Sequence, residues 1–143
     1  DMFAGIGYFT LPMARAGAQV TAVERNPTAF KFLVENAMLN DVPDRIDAYR
    51  ADCREMTDVS AERVVMGYYD AHEYLDTALS ALEPGGILHM HETTPENRLW
   101  ERPVSRLESA AESRGRDAEI LETRRVKSHS EGVWHVVVDA RVE

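Results

Sequence analysis

The run Asp1-Met2-Phe3-Ala4-Gly5-Ile6-Gly7 reads as a strand end passing through a tight turn into a helix. Its two glycines, one residue apart, let backbone approach a ligand closely, and the start of the helix offers amides with no partner inside the helix. Taken alone, the run describes equally well a strand-to-helix turn that holds nothing. It also opens in mid-element. The chain is therefore expected to be a piece whose upstream part, including most of this first strand, is absent. The neighbours of that strand are then expected to lack a pairing partner.

Two acids further along raise the turn above the bland reading. Glu24 closes the next apolar stretch, nineteen positions after Gly5, where a carboxylate can accept from both hydroxyls of an adenosine ribose. Asp52 closes the third and is placed to accept from an adenine amino group. Three successive strand ends then line one crevice. A dinucleotide oxidoreductase would carry a third glycine three positions after the second, where this chain has Thr10. That departure favours S-adenosylmethionine over a nicotinamide dinucleotide.

Outward from this core the chain alternates. Phe9, Leu11 and Ala16 mark a short helix that Gly17 stops. Residues 19–24 form a strand, and Asn26 and Pro27 open a helix reaching about Asn40, with Phe30, Leu33, Ala37 and Met38 at helical spacing. After a loop at 41–44, residues 46–51 and 63–67 read as strands. Asp70 is expected to cap a helix whose Leu75, Ala78, Leu79 and Leu82 form a stripe ending at Pro84-Gly85-Gly86, and 87–91 is a further strand. Pro103, Val104, Leu107 and Ala111 mark a last helix closed by Gly115. Residues 118–127 and 132–142 are extended and joined by His129-Ser130-Glu131-Gly132, the layout of an antiparallel hairpin. The pattern predicts an α/β fold, a mostly parallel sheet between helices with a C-terminal antiparallel hairpin.

Composition bounds the class. The 143 residues, 44% hydrophobic and 29% charged, suit one globular domain with one core and leave no room for a second. No stretch reaches the roughly 18 apolar residues of a membrane span and none has the form of a secretion signal, so a soluble, cytoplasmic protein without a membrane partner is expected. The single cysteine, Cys53, excludes an internal disulfide and a multi-cysteine zinc site. Against 25 acids stand 16 bases, a net charge of -9, and only Lys31 and Lys127 among the bases are lysine. Such a surface suits an ordinary acidic cytosolic domain or a high-salt cytoplasm, where excess carboxylate keeps a protein hydrated. It does not exclude nucleic acid. In concentrated salt the counterion-release contribution is small, and shape and stacking carry more of the affinity.

The run from Asp1 to Met13, Glu24-Arg25-Asn26-Pro27 with Glu35-Asn36 and Asn40, and Asp52-Cys53-Arg54 resemble the Rossmann-type methyltransferases that modify the nucleotide beside the tRNA anticodon. Met66-Gly67-Tyr68 stands where the guanosine-37 methyltransferases carry Asn-Leu-Pro. Together with His89-Met90-His91-Glu92-Thr93-Thr94-Pro95-Glu96 and Gly132-Val133-Trp134-His135-Val136-Val137, it resembles instead the wybutosine-synthesising aminocarboxypropyltransferases of archaeal type. The likeness spans essentially the whole chain. It implies a Rossmann-like S-adenosylmethionine-dependent transferase fold, with cofactor contacts at Asp1, Phe3, Gly5, Gly7, Phe9, Glu24, Arg25, Asn26, Asp52, Cys53 and Gly67. It implies Tyr68 as the catalytic-site residue beside the sulfonium, stacking on the target base, and no metal. The implied partner is tRNA, engaged at its anticodon loop. The implied reaction moves the 3-amino-3-carboxypropyl group of S-adenosylmethionine to a tricyclic guanine derivative at position 37 and releases methylthioadenosine. Guanosine-37 methylation, and a cofactor-binding module without activity, are the alternatives.

Several of these residues have a structural reading beside the functional one: Tyr68 as a buried tyrosine, His91 and Glu92 as a hydrogen-bonded pair at a strand tip, Trp134 and Val136 as hairpin core. Cys53 is expected to pack near the adenine rather than act as a nucleophile. His89 and His91 share a strand face but bring no third or fourth metal ligand. Arg98, Arg102, Arg106, Arg114, Arg116, Arg124 and Arg125 are candidates for phosphate contacts or an ordinary solvated face.

Overall fold

In the computed structural model, which describes all 143 residues, Gly5 and Gly7 turn the chain with φ of 55° and 109°. The turn leads into helix α1, Thr10–Arg15, which ends just before Gly17 at φ 101°. Strand β1, Val20–Val23, pairs in parallel with β2, Ile46–Tyr49, Val20 opposite Ile46 and Val23 opposite Tyr49. Helix α2, Pro27–Leu39, makes the crossover, and it starts as its sequence dictates: the Asn26 side-chain oxygen accepts from the Thr28 and Ala29 amides at 2.9 and 3.1 Å, and Pro27 sits in the first turn. Ala4, Ala14, Val20, Ala22, Leu33 and Ile46 form the core of this unit, Asp1–Val59. The buried stripe of α2 stops at Ala37. Met38, one residue and about 100° further round, is 64% exposed rather than packed as its spacing predicts.

Residues 1–4 form no strand of their own, yet they lie along β1. The Asp1 nitrogen donates to the Thr21 carbonyl, the Val23 amide to Asp1 and the Ala4 amide to Val23. The edge of β1 that was expected to be bare is thus met by the same residues that enter the glycine turn.

The second unit, Ser60–Glu143, holds β3, Ala61–Met66; α3, Leu75–Ala81; β4, Leu82–Pro95; α4, Glu101–Ser113; β5, Ala118–Ser130; and β6, Val133–Val142. The strand order is β3-β4-β6-β5. β3 and β4 are parallel, Met66 opposite Met90, while β6 runs antiparallel to both β4 and β5 as the hairpin reading requires. β4 is much longer than the stretch 87–91 predicted from its apolar core. Asp70 does not cap α3: its backbone bridges to Glu92 at φ −106° and ψ 32°, outside the extended region an N-cap needs, and a short 3-10 turn, Ala71–Tyr74, intervenes.

Alternation along β4 and β6 separates two faces. Leu88, Met90, Glu92, Val136, Val138 and Ala140 are fully buried on one. Helix α4 covers that face, because its Arg102 Nε (3.2 Å) and Arg106 Nη1 both donate to Glu92 Oε1. Glu92 Oε2 has no partner. Arg116, just beyond α4, donates to the carbonyls of Leu79, Leu82, Glu83, Val142 and Glu143 and so ties the end of α3 to the end of β6.

The opposite face carries imidazoles. His89 Nδ1 meets Asp139 Oδ1 at 2.6 Å, and His91 Nδ1 meets His135 Nε2 at 2.9 Å. Burial, then the neighbouring His135, push the His91 pKa down to about 4. In the unfolded chain it returns to 6.5, so between those values the unfolded state binds more protons and stability rises with pH. Lowering the pH from 6.5 towards 4 is expected to destabilise the protein, by up to about 1.4 kcal/mol per pH unit for this one residue. Urea midpoints measured across that window should show a shallower dependence in His91→Gln.

Candidate functional site

The end of β1 delivers Glu24 to the glycine turn. Its Oε2 accepts the Gly5 amide at 2.8 Å and its Oε1 the Asn26 amide at 2.9 Å. Each carboxylate oxygen offers two lone pairs, so one remains on each. Two aligned acceptors on one rigid carboxylate fit the two hydroxyls of a ribose. A Cβ built on Gly5 meets nothing within 4 Å, so the backbone there faces open space that a ligand can approach. Gly7 differs. A Cβ on it would press within 3.0 Å of Leu11 and 3.3 Å of Leu33, so this glycine is needed for α1 and α2 to pack against the turn.

Thr10, at the position of the missing third glycine, explains how the turn is closed without it. Its hydroxyl, fully buried, donates to Asp1 Oδ2 at 2.7 Å, while Asp1 Oδ1 accepts the Phe3 amide at 3.3 Å. Asp1 therefore braces the turn from within. Phe9 is partly exposed at the N-cap of α1, and the Asn26 side chain is committed to capping α2.

Asp52 stands beyond the end of β2 as expected, but Arg54 already holds it. Oδ1 accepts the Arg54 amide and Nε, each at 3.0 Å, and Oδ2 accepts Nη2 at 2.6 Å. One lone pair on Oδ2 is left open. The Arg54 side chain and amide, with a smaller contribution from Arg25, hold the Asp52 pKa down at about 2. Cys53 beside it is buried, and burial together with the Asp52 charge pushes its thiol up to about 11, which removes it as a nucleophile at neutral pH.

An open groove of about 740 Å³ on the α1–α2 side of the turn is lined by Ile6, Tyr8, Leu11, Arg15, Asn36 and Asn40. It includes neither Glu24 nor Asp52 and does not coincide with the carboxylate site.

Gly67 and Tyr68 belong to the second unit, in the loop after β3. Tyr68 is 39% exposed and meets Tyr74 edge-on at 6.0 Å between ring centres, so it is not the buried tyrosine of the structural reading. The next residue, Tyr69, was not singled out from sequence. Its carbonyl accepts the Thr93 amide, and its ring meets His129 at 4.8 Å and His135 at 5.1 Å. Only the register of β6 against β4, His135 opposite Thr93, makes that cluster visible. His91 and Glu92 point to opposite faces and are not a pair. Val136 is core, while Trp134 is only half-buried.

Comparison with known proteins places this geometry in context. Residues 1–121 match the family model of the TRM5/TYW2 methyltransferase domain. The chain is 46% identical over 148 residues to the tRNA(Phe) (4-demethylwyosine(37)-C(7)) aminocarboxypropyltransferase of Methanocaldococcus jannaschii, covering all of this chain and 59% of that protein. It is 33% identical over 143 residues to the tRNA (guanine(37)-N(1))-methyltransferase Trm5b of Pyrococcus abyssi, covering 99% of this chain and 43% of that one. The structure superposes on P. horikoshii TYW2 in complex with MeSAdo with a TM-score of 0.95 at 44% identity, over 99% of this chain and 55% of that chain. The chain thus spans about half the length of these relatives, and its fold is the Rossmann-like α/β fold they share.

Removing the Arg54 guanidinium tests the local electrostatics. In Arg54→Ala the Asp52 carboxyl is expected to titrate back towards its ordinary 3.8 from about 2, read by carboxyl carbon NMR. The pairing stabilises the fold above pH 3.8 and fades as pH falls towards 2; in the variant that dependence should weaken, the backbone amide of residue 54 and Arg25 still favouring the carboxylate.

Proposed function

The chain belongs to the TRM5/TYW2 methyltransferase domain family, and from that we propose that it is an S-adenosylmethionine-dependent transferase that moves the 3-amino-3-carboxypropyl group to a tricyclic guanine derivative at position 37 of tRNA. Methylthioadenosine is the released product. We take residues 1–143 as one catalytic domain, since the family match covers the first unit and extends to residue 121 in the second, and the aminocarboxypropyltransferase relative aligns with the whole chain. The observation that favours this reaction over methylation is the higher identity to the aminocarboxypropyltransferase, 46% against 33%. The presence of Met66-Gly67-Tyr68 in place of Asn-Leu-Pro agrees with it.

S-adenosylmethionine supplies a sulfonium with three carbons open to attack, and which one reacts is decided by alignment with the nucleophile. The residues of this chain supply binding and orientation. Glu24 offers its two free lone pairs to the ribose hydroxyls, and Gly5 lets the backbone come close. Asp52 offers its remaining lone pair to the adenine amino group. Asp1, Phe3, Gly7, Phe9, Arg25, Asn26 and Cys53 shape and brace the walls. Tyr68, with an exposed ring, stacks on the acceptor base of the anticodon loop. The acidic, arginine-rich composition supports a high-salt cytoplasm as its setting.

Incubating the protein with labelled S-adenosylmethionine and tRNA tests the reaction: methylthioadenosine is the expected product, and S-adenosylhomocysteine would overturn the assignment in favour of methylation. Glu24→Ala should weaken S-adenosylmethionine binding by about 1–3 kcal/mol, or roughly five- to 150-fold, as calorimetry would show. Unchanged affinity would remove the ribose assignment.

A further inference from the structure

Seven arginines are candidates for phosphate contacts on sequence grounds, and the structure engages most of them elsewhere. Arg98 pairs with Glu101, Arg102 and Arg106 with the buried Glu92, and Arg114 with Asp76 and the Ser80 hydroxyl. Arg116 is held by main-chain carbonyls. Arg124, on β5, is held by Glu122 and Asp139; Arg125 beside it remains, its nearest acid 4.0 Å away, and Lys127 joins it.

β5 is the edge strand of its sheet, and residues 124–132 are all exposed. No acid stands between Glu122 and Glu131, so a chain of net charge -9 presents here three cations within four residues. A β-bulge arranges them. Arg124 lies opposite Val137, Arg125 opposite Val136 and Lys127 opposite His135, Val126 being the extra residue. Strict alternation would send Lys127 to the face opposite Arg124; the bulge returns it to the same one, beside His135. Lys127 forms no ion pair and its charge helps to lower the His135 pKa. Arg124 pairs with Glu122 and Asp139 at 2.8 Å. On the other face the Arg125 guanidinium lies over the Trp134 ring, 5.1 Å from its centre, with Glu96 no nearer than 4.0 Å. Rings flank the cations: Tyr69 packs between His129 and His135.

We propose that the distal half of the β5–β6 hairpin, residues 124–135, docks the sugar-phosphate backbone of RNA, with Arg125 and Lys127 as the phosphate-binding side chains. This deepens the reading of the substrate as tRNA and rests on it. Charge complementarity favours a polyanion at this patch, since the remainder of the chain is acidic. Trp134, Tyr69 and the imidazoles beside the cations suit unstacked bases better than an acidic polypeptide. The bulges also deter another strand from adding to this edge and leave its side chains as the means of contact.

The test titrates fluorescent tRNA with the full chain, with Arg125→Ala/Lys127→Ala, and with Arg15→Ala/Lys31→Ala, a charge-matched control in the other unit. Thermal melts and S-adenosylmethionine affinity are read on each. The hairpin variant is expected to bind RNA about tenfold more weakly, with a log-log salt slope shallower by roughly 1.4–1.8, the value for two lost phosphate contacts. The control should stay near wild type, and Lys127→Glu should reproduce the loss singly. Equal loss in control and hairpin variants, undiminished RNA binding in the hairpin variant, or binding of polyglutamate in preference to RNA would each overturn the proposal. Product release separates this idea from the reaction assignment. Hairpin-dependent RNA binding without methylthioadenosine refutes only the reaction, and methylthioadenosine formed with an unaffected hairpin variant refutes only the docking surface.

Discussion

The Glu24 carboxylate, held between the amides of Gly5 and Asn26, is the constraint on which the first unit depends. It joins three segments at one point: the glycine turn, the end of β1 and the start of α2. Hydrogen bonds to a charged group contribute about 1.5–3 kcal/mol each, and the N-terminus of α2 adds a favourable dipole for the negative charge. A carboxylate held this way does not have to be ordered when a ligand arrives. The same two bonds use one lone pair on each oxygen and leave the other, so the structural role does not exhaust the acceptor capacity of the side chain.

Asp52 shows the opposite arrangement. Its oxygens are largely satisfied by Arg54, so position at a strand end does not by itself make an acid available. The two carboxylates that look equivalent in sequence differ in how many acceptor sites remain, because Glu24 meets two backbone amides while Asp52 meets one amide and, in addition, both ends of a guanidinium.

In the second unit a buried Glu92 draws Arg102 and Arg106 from α4 onto the sheet. Breaking such a buried pair by removing one partner is strongly destabilising, about 3–5 kcal/mol, because it strands a charge away from water. The consequence reaches the surface. Arginines committed to carboxylates and carbonyls are not free to meet phosphates, whereas on the hairpin Lys127 forms no ion pair and a bulge sets the direction of its side chain.

The sequence by itself determined the order of elements, the glycine turn, the Asn26–Pro27 helix start, the hairpin and the position of Glu24, because each of these rests on contacts between residues near in the chain or on local backbone preference. Tertiary structure alone decided which face His91 and Glu92 occupy, that Met38 lies outside the core, that Arg54 claims Asp52, and that Tyr69 and Lys127 join the imidazoles. Those outcomes depend on register, on bulges that reverse alternation, and on which long side chain reaches which charge first, none of which is encoded in the spacing of residues along a single strand or helix.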